Sequence, residues 1–215
     1  MTDVWSERAE AFRESPTHRE GPDLDLLVEW CEPGEGVQAL DVATGGGHVA
    51  RRLEEAGASV VSVDPAPGMR PTVVSSAEHL PFADDSFDVV ACRIAAHHFD
   101  DVRAAVRELA RVSRDRVVVE DNLFVSEQVE EAEKLRDPTH VRCYSDVEWR
   151  DLFADAGLEV ADERTFERRV EVEPWLARVE TPEDDAAQVR GLLVGRVQDG
   201  RLTLRSIVLK GKKKK

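Results

Sequence analysis

One stretch constrains this chain more than any other: Leu40-Asp41-Val42-Ala43-Thr44-Gly45-Gly46-Gly47, followed directly by His48–Ala56. The apolar run from Val37 to Val42 reads as a short buried strand. After the glycines, Val49, Leu53 and Ala56 share one helical face, and Gly57 stops the helix. A strand that enters a glycine loop and leaves as a helix is a β–α unit. Its glycines let another group approach the backbone, and the helix start presents unpaired N–H groups. Alone, such a loop is also compatible with a tight turn that binds nothing.

The alternation continues along the chain. Ser59–Val63 is a second strand ending at Asp64, Thr72–Ser75 a very short third, and Phe87–Cys92 a fourth. Val102–Val112 is a helix with Val102, Val106, Leu109 and Ala110 on its buried side, and Arg116–Glu120 is a fifth strand. Apolar strands alternating with helices indicate a parallel sheet covered on both faces. Beyond it, Ser145–Ala156 is helical with capping-box spacing between Ser145 and Glu148. Leu158–Val172 reads as extended, Pro174–Leu193 as helical, and Leu202–Leu209 as a closing strand after the Asp199-Gly200 turn. That return lacks a crossover helix, so the closing strand is expected to be antiparallel. The expected fold is a Rossmann-like α/β domain: a seven-stranded, mostly parallel sheet with one antiparallel edge strand and helices on both faces. Residues 1–30 form an N-terminal helical cap. Residues 36–210 form the core, with a helical cap at 174–193, and 211–215 form a lysine tail.

Two readings of the glycine loop compete. Gly45-x-Gly47-x-x-Ala50 fits a dinucleotide fingerprint, with Asp64 placed 17 residues after Gly47 where a ribose-binding acid belongs. Asp41, however, puts a carboxylate at the strand end ahead of the glycines. It would repel a pyrophosphate and suits a ligand with a cationic end.

Several ordered motifs then carry a resemblance. LDVATGGGH resembles the first cofactor motif of class I S-adenosylmethionine-dependent methyltransferases, in the form of the ubiquinone/menaquinone-biosynthesis type. VSVDPAPGM resembles their second motif, SSAEHLPFADDSFDVVACRIAAHHF their middle block, and ELARVSRDRVVVED their fifth-strand region. The flanking SPTHREGPDLDLL and RDPTHVRCYSDVEWRDLFADAGLEV look like a bacterial subgroup of unassigned methyltransferases. The resemblance implies S-adenosylmethionine as cofactor. Asp41, Ala43, Thr44, Gly45 and Gly47 would cradle its methionine part, and Asp64 would take the ribose hydroxyls. Pro65 and Met69 would pack near the adenine, Ser76 and Ala77 would stand where the family contacts the adenine amino group, and Arg93 would sit under the reactive methyl. Ala43 replaces the first glycine of the commonest pattern, as it does in the ubiquinone/menaquinone type. Ser76 replaces the usual acid. Only Arg70 and Pro71 separate Met69 from the third strand, where relatives spend a whole helix. The adenine pocket is therefore expected to lack one wall.

His97 and His98 follow the fourth strand, at the sheet edge where α/β proteins bind ligands, and are the candidate proton acceptors for the methyl acceptor's nucleophile. The competing assignment makes one a structural hydrogen-bonder and the other a surface residue. His18 and His140 lie in segments that could cap the pocket. None of the histidines shows metal-ligand spacing, so no metal is expected.

Charge narrows the partners. The chain has 44 acidic against 29 basic residues, for a net −15. Five of its lysines, Lys210 and Lys212 to Lys215, lie at the C-terminal end, so the body is more acidic still. Such a body repels phosphate backbones, which argues against nucleic acid as a partner; with no long specificity insertion for a protein substrate, the expected methyl acceptor is a small molecule. No apolar run is long enough for a membrane span, and the charged start MTDVWSERAEAF lacks a signal-peptide pattern. Three widely spaced cysteines, Cys31, Cys92 and Cys143, fit a reducing compartment and a cytoplasmic location. The alternatives are an NAD-dependent oxidoreductase, a catalytically silent adenosyl-binding module, and a methyltransferase for macromolecules.

Overall fold

The computed structural model describes residues 4–213. Three helices come first: α1 (Val4–Glu14), α2 (Pro16–Arg19) and α3 (Pro22–Cys31). Then follow β1 (Gln38–Val42), α4 (His48–Glu55), β2 (Ser59–Asp64), β3 (Val73–Val74), β4 (Phe87–Arg93), α5 (Val102–Val112) and β5 (Ser113–Asn122). The second half runs α6 (Glu127–Arg136), α7 (Asp146–Asp155), β6 (Leu158–Glu171), α8 (Val172–Ala177), α9 (Glu183–Leu192), β7 (Val197–Gln198) and β8 (Arg201–Lys213).

The strands lie in the order β3-β2-β1-β4-β5-β8-β6. β1 to β5 are mutually parallel, and β8 is antiparallel to both its neighbours. The mostly parallel sheet with one antiparallel strand toward its edge is as expected; β8 lies one place in, with β6 outermost. The two-residue β7 adds an eighth strand, paired to β8 across Asp199 and Gly200. Both turn residues have positive φ, the geometry that matches a tight hairpin to strand twist.

The run Val117-Val118-Val119 shows why both sheet faces must be covered. Val117 and Val119 pack with Leu109 of α5 and Trp149 and Phe153 of α7, whereas Val118 packs with Leu24, Leu27 and Leu53 on the opposite face. A period of two sends successive side chains to opposite sides, so a continuous apolar run needs two helical layers. Helix α7 begins with the expected capping box: Ser145 Oγ accepts from the Glu148 amide at 3.2 Å, and the Glu148 carboxylate accepts from the Ser145 amide at 2.9 Å.

Three features correct the sequence expectation. Helix α6 was not foreseen, because Glu130 and Glu133 are buried beside Val129 and Ala132, leaving no apolar stripe to read. The helical stretch 174–193 is two helices, α8 and α9, separated at residues 178–182. The lysine tail is strand as far as Lys213. Lys210 is buried and pairs with Glu32 at 2.5 Å, and Lys213 pairs with Asp85. Lys214 and Lys215 lie outside the described residues.

β5 ends opposite Ser206, but the β6–β8 ladder continues to the pair Glu171–Arg201. This overhang rises past the C-terminal ends of the parallel strands. There it builds a second small core, in which Val170, Leu202 and Leu204 pack against Val129, Trp175 and Val189 of α6, α8 and α9. Among the described residues, no helix is long and apolar enough to cross a membrane.

Candidate active site

The glycine loop leaves β1 with unusual backbone geometry. Ala43, Gly45 and Gly47 all have positive φ, at 55°, 50° and 75°. For alanine this left-handed conformation costs ~1–2 kcal/mol, which marks the loop as a shaped element. Only open space lies around Gly47, and at Gly45 a side chain would meet only the Ala43 carbonyl at 4.0 Å, so a ligand can approach backbone there. Gly46 differs. A β-carbon on it would lie 3.0 Å from the Phe12 carbonyl, because α1 roofs the loop, and His48 Nε2 bonds the same carbonyl at 3.1 Å.

Two carboxylates frame the loop. Asp41 is buried, and its Oδ2 accepts from Thr44 Oγ1 at 2.6 Å and from the Ala50 amide at 3.1 Å. Burial pushes its carboxyl up to about 7, against the opposing pull of those two hydrogen bonds. Asp64, at the end of β2, accepts from the Gly45 amide at 3.0 Å and the Ala66 amide at 2.9 Å. Burial raises its carboxyl too. A carboxylate has about four acceptor positions, so two remain at Asp64 for a ribose diol. This donor set fits an adenosyl sulfonium: a carboxylate with spare capacity for hydroxyls, a buried carboxylate for a cationic group, and bare glycine backbone between them.

The remaining cofactor candidates fall as follows. The link after Asp64 is a single 3-10 turn, Pro67–Met69, as short as expected. The side left open by the missing helix is covered by α1, whose Ala9, Trp5 and Phe12 pack with Ala66 and Met69. Gly68 donates to Ser6 Oγ at 2.9 Å, and Arg13 donates to the Gly68 carbonyl at 3.2 Å. Pro65 begins this link. Ala77 is buried in the main core, and the Ser76 carbonyl closes a turn to His79. Arg93 is buried at the end of β4. It donates to Asp23 of α3 and to the His18 carbonyl, with Glu120 3.6 Å away, so it also ties the N-terminal helices to the sheet.

Ile94 follows with φ of 50°, rare for a β-branched residue, and lines a cavity of about 40 Å3 at the ends of β4 and β5. His97 and His98 stand in its wall. His97 is buried and bonds Asp121 twice: its Nδ1 lies 2.5 Å from one carboxylate oxygen, and its amide donates to the other at 2.8 Å. Burial alone would lower the imidazole's pKa, but the Asp121 charge and hydrogen bond outweigh it and leave the value above that of a free histidine. His98 is held by the Thr139 carbonyl at 3.0 Å and lies edge-on to Trp5. Burial and then the His97 charge drive its pKa well down. The two histidines are thus separated into a basic ring and a neutral one. His18 lines the same cavity, while His140 bonds Glu130 at 2.9 Å behind it.

Asp121 is the functional candidate that sequence reasoning missed. It lies just past the apolar run of β5, beside Glu120, where two acids read as strand-end polarity. Glu130, His140 and Cys143 also converge. The Glu130 carboxylate is engaged by His140 and the Cys143 amide, and burial raises the Cys143 thiol well up, which disfavours a thiolate ligand.

The Asp41 geometry gives a first prediction. Below pH 7 its carboxyl is protonated, and a cationic ligand must displace that proton. Affinity for S-adenosylhomocysteine should therefore rise toward pH 7 and level off above it, by up to tenfold per pH unit on the acid side. Calorimetry across pH 5.5–8.5 reads this, and Asp41→Asn should abolish the dependence. An identical slope in the variant would assign the titration elsewhere.

The chain is similar to known methyltransferases. Residues 40–119 match the family described as a methyltransferase domain. The uncharacterised methyltransferase YcgJ of Bacillus subtilis is 34% identical over 208 residues, covering 86% of this chain and 82% of that protein. Its crystal structure superposes with a TM-score of 0.81 at 29% identity, covering 90% of this chain and 98% of that one. A demethylmenaquinone methyltransferase of Mycolicibacterium paratuberculosis is 38% identical over 89 residues, 38% of this chain and 39% of that protein.

Proposed function

Because the chain belongs to the S-adenosylmethionine-dependent methyltransferases, we propose that it methylates a small-molecule acceptor in the cavity beside His97. The observation that carries this reading is the buried His97–Asp121 pair, whose imidazole lines a cavity that shares Phe12 with the roof of the glycine loop. When bound, S-adenosylmethionine supplies an electrophilic methyl group. Asp41, Ala43, Thr44, Gly45 and Gly47 hold its methionine part, Asp64 its ribose, and Pro65, Met69, Ser76 and Ala77 its adenine. Arg93, at the end of β4, would border the bound cofactor.

His97 accepts the acceptor's proton. With Nδ1 donating to Asp121, Nε2 is the nitrogen left to act, and the carboxylate stabilises the imidazolium that forms. His98, kept neutral, shapes the wall. Phe12, Val170, Trp175 and Leu204 give the cavity an apolar lining that limits water along the approach of nucleophile to methyl. The acidic surface supports a small acceptor over nucleic acid, and three unpaired, buried cysteines support a cytoplasmic location.

Side-by-side calorimetry with S-adenosylhomocysteine and NAD tests the class. Saturable binding of S-adenosylhomocysteine with NAD at least tenfold weaker is expected, since Asp41 opposes a pyrophosphate. Tighter binding of NAD would overturn the reading.

A further inference from the structure

The acceptor cavity is basic although the protein is strongly acidic. Three arginines converge on it from separate elements: Arg136 at the end of α6, Arg168 on the β6 overhang, and Arg178 just after α8. The two carboxylates in the same wall are already engaged. Glu133 pairs with Arg136 at 2.8 Å, and Asp137 pairs with Arg8 at 3.1 Å and accepts from Thr139. Glu120, on the sheet below, faces Arg93. Arg168 is different. One terminal nitrogen donates to the neutral Asn122 side chain at 2.7 Å, and its Nε is buried with no hydrogen-bond partner. A buried guanidinium N–H left unsatisfied is destabilising, so such a group is retained where something else completes it.

The field of these groups is visible in their neighbours. Burial, then Arg136 and Arg168, lower Arg178 to about 10. Burial, then Arg178, Arg93 and Arg168, hold His18 well below its ordinary value. Arg136 keeps Glu133 as its partner and Arg168 also faces Glu120, so the feature that calls for an anion is the unsatisfied Arg168 Nε, with the charges of Arg136 and Arg178 beside it.

We propose that the methyl acceptor carries an oxyanion group, carboxylate or phosphate, and that Arg168, with Arg136 and Arg178, anchors it opposite His97. The proposal rests on the methyltransferase reading. The oxyanion is the handle, and the nucleophile lies elsewhere on the acceptor, toward the imidazole. A guanidinium fork gives a planar carboxylate two parallel hydrogen bonds, which fixes orientation as well as position.

The test uses the full chain saturated with S-adenosylhomocysteine, whose own binding is measured first, so that failure of the methyltransferase reading shows there alone. Benzoate, neutral benzamide and inorganic phosphate are then titrated at constant ionic strength. Saturable binding of benzoate or phosphate is expected, with benzamide at least tenfold weaker. The anion that binds identifies the handle as carboxylate or phosphate. Arg168→Met should weaken the anion at least tenfold and leave S-adenosylhomocysteine binding unchanged; Arg178→Met is the second variant if the first does not fold. Equal binding of benzoate and benzamide, no binding of either anion, or full anion affinity in the folded variant would overturn the proposal.

Discussion

Replacing His97 by glutamine should slow methyl transfer by about 10²–10⁴-fold, the range of a positioned general base, while leaving S-adenosylhomocysteine affinity unchanged. The ring lines the acceptor cavity and not the glycine loop, so loss of the base should appear in turnover. The pH profile supplies a second signature. Asp121 raises the His97 pKa above that of free histidine, so the base is protonated at low pH. The rate should climb with pH through that raised value and then level off. Asp121→Asn removes the charge that offsets burial, so the rising limb should move to lower pH as well as drop in height. A folded His97→Gln protein with wild-type turnover would remove His97 from the reaction.

Replacing Asp64 by alanine should weaken S-adenosylhomocysteine at least tenfold. Two charge-assisted hydrogen bonds to a ribose diol are each worth ~1.5–3 kcal/mol before compensation. The structure adds a second consequence. Asp64 also accepts from the Gly45 and Ala66 amides, so alanine strips the loop of its tether to β2. Each buried amide left unpaired costs ~1–3 kcal/mol, and the apo protein should lose several degrees in Tm, at about 2–4 °C per kcal/mol for a chain of this size. Asp64→Asn keeps one acceptor oxygen and should recover part of the melting loss while binding remains impaired. Wild-type affinity in the alanine variant would make Asp64 a loop clamp only.

Much of this was legible in the chain because physics repeats itself there. Val117 to Val119 announced a strand covered twice, and the Ser145–Glu148 spacing announced a helix start that the structure contains to the atom. Asp41 and Asp64 were readable because their positions at strand ends follow from short apolar runs. Helix α6 was hidden because its inward face carries Glu130 and Glu133; Glu133 is satisfied by Arg136 one turn along the same helix, and Glu130 by His140 and the Cys143 amide, which the fold brings in. The arginines of the acceptor cavity were hidden for the same reason. In sequence Arg168 is one charge in a strand of alternating charges, and nothing local says that β6 outruns β5 there. The shortness of the link after Asp64 was legible, but the packing of α1 against it was not, because that contact joins segments far apart in the chain.

The placement of α1 carries one more consequence. The same short helix roofs the glycine loop through Phe12, grips the turn at Gly68 through Ser6 and Arg13, and leans on His98 of the acceptor cavity through Trp5. The glycine loop and the cavity beside His97, the proposed cofactor and acceptor sites, therefore share one door. Its apolar anchorage is the small cluster of Ala9, Ala66 and Met69 with Trp5 and Phe12, far less than the burial that holds the sheet, so it can open without unfolding the rest. Under the proposed function, exchange of a spent cofactor lifts that door and exposes the acceptor, so an acceptor with several methylatable positions is expected to return to solution between transfers; a mass-spectrometric time course in which singly methylated product builds up before doubly methylated product checks this.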